Sequence, residues 1–196
     1  MTILSLINTV CHLVGLSPFS SVYGHQDDDA RLFIALVQET GEEISMRVDW
    51  PDLLNIFLVS TTPSNIPGNF HRPLSGGAVV MRDGCFARPV VTAADWDVVK
   101  KGSGGCCWYW LTSRRLHLSC PPPAFLRYFS LDWVIDQQGN NKSTVTSDDD
   151  KIIFSDYLFI KGMIWRWRRM QGLSFQDHLQ EFEAALSAET LKLLEG

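Results

Sequence analysis

The apolar residues of this chain change their period twice, and that change limits the folds open to it. At both ends they recur every three or four residues, as on one face of a helix; between the ends they alternate or run together, as on strands. A chain of this pattern must pack helices against helices and close a β-rich segment separately. With 196 residues, 45% of them hydrophobic and 20% charged, it has enough apolar surface for a packed core.

Residues 2–15 read as a helix, with Ile3, Leu6, Ile7, Val10, Leu13 and Val14 at helical spacing. Gly15 is a stop, Pro18 bars continuation, and 17–26 is a loop. A second helix begins near Asp27, where Asp27, Asp28 and Asp29 favour the positive end of the helix dipole. Phe33, Leu36, Val37, Ile44 and Val48 form its stripe, and Pro51 ends it by Trp50. Gly41 is costly in a helix and predicts the close approach of another helix.

In the middle, residues 55–61 read as a strand and 62–76 as a Pro-, Gly-, Asn- and Ser-rich loop. Strands over 78–82 and 85–91 flank Asp83-Gly84, a hairpin signal. Thr92 caps a short helix over 92–101, with Asp95 three residues on and Gly102 as its stop. Strands over 106–112 and 115–120 end at Pro121, Pro122 and Pro123; another covers 125–135 and closes at the turn 137–140. The Asp148-Asp149-Asp150 run reads as a solvated turn.

The end returns to helix. Ser155 caps a helix over 156–171, Gly172 stops it, and Ser174 with Asp177 opens the last helix, whose buried side is Phe175, Leu179, Phe182, Leu186 and Leu191. So short a connection predicts an antiparallel pair, and residues 155–172 are net basic while 173–196 are net acidic. The predicted class is therefore α+β: a four-helix bundle formed by the N- and C-terminal helix pairs, with an inserted antiparallel β-rich domain. The bundle comprises 1–54 and 151–196; the insert is 55–150, with its short helix near 92–101; and the termini should lie near each other.

The sequence carries few signs of chemistry. Gly102, Gly104 and Gly105 lack the Lys-Ser/Thr of a phosphate-binding loop, and there is no Gly-x-Ser-x-Gly elbow. His117 and Cys120 have ligand-like spacing for zinc with Cys106 and Cys107, but adjacent cysteines do not match the usual knuckle. The five cysteines read as free thiols and no cofactor is expected; Cys11 reads as core and forms no dyad with the adjacent His12. Glu42, Glu43 and Asp49 are the carboxylates a glycosidase would need, although a solvated helix face accounts for them better.

A net charge of −5 argues against a general nucleic-acid binder, and suits a wall that DNA slides past. The apolar first fifteen residues lack the leading Lys or Arg of a signal peptide, and no apolar run is long enough to span a membrane. A soluble protein synthesised in the cytoplasm, with no membrane partner, is expected.

The most unusual local feature is Trp165-Arg166-Trp167-Arg168-Arg169. Trp and Arg dominate binding hot spots, which makes all five a candidate interface. Basic residues also stabilise the negative end of a helix and Trp anchors bundle cores, which fits the tryptophans better and the arginines equally well.

Taken in order, several segments resemble the head-to-tail adaptor, or tail accessory, proteins of podovirus-like bacteriophages. They are LINTVCHLVGL (6–16), ARLFIALVQETGEEISMRVDWPDL (30–53), IPGNFHRP (66–73), ARPVVTAADWDVVK (87–100) and LHLSCPPPAFLRYFSLDWVID (116–136). The closing segment, DDDKIIFSDYLFIKGMIWRWRRMQGLSFQDHLQEFEAAL (148–186), is the most specific; KGSGGCCWYWLTSRR (101–115) departs from the pattern.

The resemblance implies a structural, non-enzymatic virion protein that sits at the head–tail interface. It would form a ring of about twelve copies under the portal protein, extend the DNA channel, and anchor the tail nozzle and tail fibre proteins. DNA would pass through without sequence-specific binding. Arg166, Arg168, Arg169, Trp165 and Trp167 would belong to subunit or portal contacts. A virion-associated cell-wall hydrolase and a small DNA-binding or regulatory module are the alternatives.

Overall fold

The computed structural model describes residues 1–24, 27–100 and 105–195, so the expected stop at Gly102, Gly104 of the glycine-rich stretch and the end of the loop at 25–26 lie outside it. The class is α+β, with five α-helices and mostly antiparallel sheets among the described residues. The helices are α1 (Ile3–Val14), α2 (Asp28–Arg47), α3 (Ala93–Val99), α4 (Asp156–Met170) and α5 (Gln176–Glu195). The strands are β1 (Leu54–Val59), β2 (Ser64–Asn65), β3 (Phe70–Pro73), β4 (Val79–Met81), β5 (Arg88–Val90), β6 (Trp108–Leu111), β7 (Arg115–Leu118), β8 (Ala124–Ser130), β9 (Val134–Ile135), β10 (Asn141–Lys142) and β11 (Lys151–Ile152).

The chain divides into two units, one of Met1–Asp52 with Leu131–Gly196 and the other of Leu53–Ser130. In the first, the local signals act as read. Thr2 caps α1 by accepting from the Ser5 N–H, Gly15 ends it at φ 79°, and Asp27 caps α2 by accepting from the Asp29 N–H. Gly172 takes φ 67°, which lets the Leu173 N–H reach back to the Arg168 carbonyl at 2.9 Å and close α4. Ser155 precedes α4 without a side-chain cap bond, and α5 starts at Gln176, with Ser174 Oγ turned to Gln176 Oε1.

Helix α4 packs against α1, α2 and α5. It lies antiparallel to α5, since Lys161 near its start pairs with Glu181 and Arg168 near its end meets the Ser174 carbonyl. Phe182 and Leu186 of α5 are buried as expected, whereas Leu191, like Leu13 of α1, faces solvent.

Three expectations are corrected in this unit. The residue lodged against Gly41 is the indole of Trp133, not another helix. The strand predicted over 125–135 breaks at Leu131, so residues 131–150 group with the helices, although the sequence pattern put them in the insert. There β9 pairs with β10 and β11. The acidic run is not a solvated turn either. Asp150 is buried, pairs with Lys142 at 2.7 Å and accepts the Thr146 and Ser147 N–H groups. Asp148 accepts from Ser21, Val22 and Tyr23, and the carbonyls of Asp150 and Asp148 take the first free N–H groups of α1.

The second unit holds two sheets over one core. One has β8 at its centre, with β1 on one side and β3 and β4 on the other; the second runs β2-β7-β6-β5. Val59, Val79, Tyr109, Leu116, Leu118, Leu126 and Tyr128 fill the space between inward faces. The segment read as a loop over 62–76 contributes β2 and β3, short edge strands where Pro73 costs no ladder bond. Asp83-Gly84 does turn the chain, with the Gly84 N–H bonded to the Met81 carbonyl and a bridge from Val80 to Phe86. The flanking strands then part, because β4 joins β8 while β5 runs parallel to β6.

Candidate functional site

The Trp-Arg stretch occupies the last two turns of α4, and its helical spacing sends its residues to different surroundings. Trp165 and Trp167 are buried; the Trp165 ring tilts against Phe175 and Phe182 at 6.3 Å. Arg166 is buried too, at 2% exposure. Its Nη1 donates to the Gly162 carbonyl at 2.9 Å, its Nη2 is paired with Glu43, and its Nε faces Glu39 at 3.5 Å. The guanidinium lies 4.4 Å from the Trp165 ring centre, so its plane covers the indole. Burial pushes its pKa down and the carboxylates of Glu43 and Glu39 oppose that, which keeps the cation paired where it is.

Within the single chain Arg166, Trp165 and Trp167 are therefore buried side chains, and the contacts are those of Arg166 and Trp165. They hold α4 to α2 and α5 and present little surface to a partner. Arg168 is half-buried and gives its Nε–H to the Ser174 carbonyl at 2.7 Å, closing the α4–α5 connection. Arg169 alone of the five is exposed, and its guanidinium has no hydrogen bond or ion pair among the described residues.

The carboxylates singled out for hydrolysis are likewise tied into the helices. Glu43 lies between Arg166 and Arg47, and Glu42 accepts from Gln38 Nε2 at 2.8 Å. Asp49 lines a groove of about 720 Å³ with Val48, Pro51, Leu186, Leu191 and Leu193, edged by the Arg47–Glu183 ion pair at 2.6 Å.

The imagined zinc set does not come together. His117 packs its ring against Trp110 at 5.2 Å and Trp96 at 6.0 Å, while Cys120, three residues on, faces the core beside Cys107. Among the described residues no group of three or more His, Cys, Asp or Glu side chains is placed to hold a metal ion. No helix there is long and apolar enough to cross a membrane.

The feature that sequence reasoning missed is the outer face of the β1–β8 sheet. In an antiparallel pair, opposite residues share a face. The register sets Leu54, Ile56 and Leu58 of β1 opposite Phe129, Arg127 and Phe125 of β8, then Phe125 opposite Val80 of β4, and Val80 opposite Phe86. Ile56 is 65% exposed, Phe86 60%, Leu58 51% and Phe125 39%. Arg127, with no partner for its guanidinium among the described residues, and Arg72, stacked over Phe129 at 4.3 Å, bring charge to this face.

Strand β1 is also an edge, paired with β8 on one side and with no strand on the other among the described residues. A signal for this face was present in Leu54-Asn55-Ile56-Phe57-Leu58-Val59. Apolar residues at both phases of an antiparallel strand mean that both faces want cover. No protein-family model matches this chain, and no curated protein is similar enough to it to count as a match.

Proposed function

We propose that this chain is a structural head-to-tail adaptor subunit of a short-tailed bacteriophage. It acts by assembly rather than catalysis, forming a ring of about twelve copies below the portal that extends the DNA channel and anchors the tail nozzle and fibres. It would be synthesised in the host cytoplasm and end in the virion. The observation that carries the reading is the uncovered apolar face of β1 and β8, with the unpaired edge of β1 beside it. An edge strand without charge or proline is a template for pairing, and soluble monomers blunt such edges. Leu54–Val59 carries neither device, which fits a chain that buries this face in a larger assembly.

The helical unit fits the same reading. We take α1, α2, α4 and α5 as one four-helix bundle, consistent with the packing of α4 against the other three. Ion pairs tie α5 to α2 and α4 and α4 to α2, and Arg169 with the groove beside Leu191 and Leu193 offers a basic point and an apolar one to the portal. The net charge of −5 suits a ring that DNA must traverse without sticking.

The test is to mix the purified protein with the portal ring of the same phage and weigh the product by native mass spectrometry. The adaptor reading expects one copy bound per portal subunit. A competent portal that takes up no copies refutes it.

A further inference from the structure

Five cysteines are present, and in the β-rich unit the fold brings two of them opposite each other. The β6–β7 register pairs Tyr109 with Leu118 and Trp110 with His117. It continues past the strand ends, because the Ser119 N–H bonds the Trp108 carbonyl and the Trp108 N–H bonds Ser119 Oγ, both at 2.9 Å. One step further, Cys107 faces Cys120. The bonded pairs fall at 108–119 and, across the turn, at 112–115, so Cys107 and Cys120 occupy a non-bonded position of the ladder, where side chains stand closest. Both turn to the same side, Cys107 within the core and Cys120 packed against it. A single hydroxyl, Ser119 Oγ, lies 4.0 Å from Cys107 Sγ and 3.9 Å from Cys120 Sγ.

We propose that Cys107 and Cys120 form a reactive dithiol that closes to an intramolecular disulfide on meeting a small-molecule disulfide. The inference is independent of the adaptor reading. The reaction site is a cavity of about 440 Å³ lined by Cys107 and Cys120 together with Arg82, Asp83, Cys85 and Pro121–Pro123. Cys120 is half-exposed and Cys107 buried, so the incoming disulfide meets Cys120 first. The Cys120 thiolate attacks one sulfur of the disulfide, forms a mixed disulfide and expels a thiolate. The Cys107 thiolate then attacks Cys120 Sγ, forms the Cys107–Cys120 bond and expels the second thiolate. The two protein thiols give up two protons, which the two leaving thiolates take, and two electrons pass from the protein to the small disulfide.

The opposed pair favours the second step, because the resolving sulfur is already in place. Burial, together with the adjacent Cys120 thiol, pushes the Cys107 pKa up to about 11, so closure speeds up as the solution is made more alkaline. Cys106 is exposed and, by strand alternation, points away from this pair, and Cys11 is buried in the helical unit, which leaves the choice of partner to geometry.

The experiment incubates the folded protein with oxidised glutathione, blocks remaining thiols with an alkylating reagent, and maps disulfides by peptide mass spectrometry. The expected product is a peptide pair joined through Cys107 and Cys120, with Cys11 alkylated only after unfolding. The Cys107→Ser variant should instead accumulate glutathione on Cys120. A wild-type protein that keeps glutathione on Cys120 with Cys107 free, or that joins Cys120 to Cys85 or Cys106, overturns the proposal. The wild-type map decides even if the variant does not fold.

Discussion

The indole of Trp133 lies flat against the backbone of Gly41, so that a methyl group there would overlap ring atoms Cη2, Cζ2 and Cζ3. The ring cannot easily withdraw, because Phe154 stacks on it at 6.3 Å and Phe159 packs against it at 5.9 Å. Replacing glycine by alanine inside a helix normally gains about 1 kcal/mol. Here overpacking, about 1–3 kcal/mol and more where nothing gives, outweighs that gain. Gly41→Ala is therefore expected to lower stability by about 2 kcal/mol, read as a fall in the urea midpoint at unchanged slope. A rise in midpoint would mean that the indole moves aside.

The same helices are joined by a buried cation. Truncating Arg166 removes its packing on Trp165 and takes from Glu43 one of its two cations, leaving only Arg47 at 3.2 Å, for a loss of about 3 kcal/mol. Arg166→Met keeps the apolar stem and withdraws the buried charge, so it should recover more than half of that loss. The pair of urea titrations tells packing from charge: equal losses in the two variants would assign the role of Arg166 to its ion pair alone.

Much of the helical unit was legible in the sequence, because its boundaries rest on local chemistry. Asp27 ahead of the Phe33–Ile44 stripe, Pro51 behind it and Gly172 past the basic turn act within a few residues of where they stand. What could not be read is non-local. The sequence places Arg166 beside two tryptophans but gives no sign that Glu39 and Glu43, more than a hundred positions away, will come to neutralise it. The Asp83-Gly84 turn was legible, whereas the parting of its strands depends on β8 and β6, which compete for them. Leu131, Trp133, Val134 and Ile135 carry apolar residues on past β8 with only Asp132 among them, and the seat that Gly41 provides for Trp133 accounts for the chain leaving that sheet.

Stability should fall in two separate windows as the solution is acidified. Burial holds the imidazole of His117 below its ordinary 6.5, assisted by Arg115, and His71 is lowered by burial and Arg72. For a base with a lowered pKa, the unfolded chain takes the proton first, so stability is full above about 6.5 and declines below it until the folded imidazole also protonates. Glu183 acts lower on the scale. Its bonds to Arg47 hold it below 4.5, so its contribution is present above 4.5 and is lost as the pH falls through its folded value. Urea midpoints measured across this range check both, and His71→Gln with His117→Gln should flatten the upper window while leaving the lower one in place.

The outer face of β1 and β8 separates stability from assembly. Ile56 is 65% exposed, so Ile56→Glu should change stability, read from urea titration, by less than about 0.5 kcal/mol. If this face is buried in the ring, the same substitution places a carboxylate in an apolar contact, where desolvating it costs several kcal/mol. Loss of portal-bound copies in native mass spectrometry, at unchanged stability, is the expected result. Leu58→Glu should repeat it, since Leu58 stands two residues along on the same face, opposite Phe125. Arg169→Glu, on the helical unit, provides the comparison. A variant set in which Arg169→Glu blocks assembly and both β1 variants assemble normally would move the contact surface from the sheet to the end of α4.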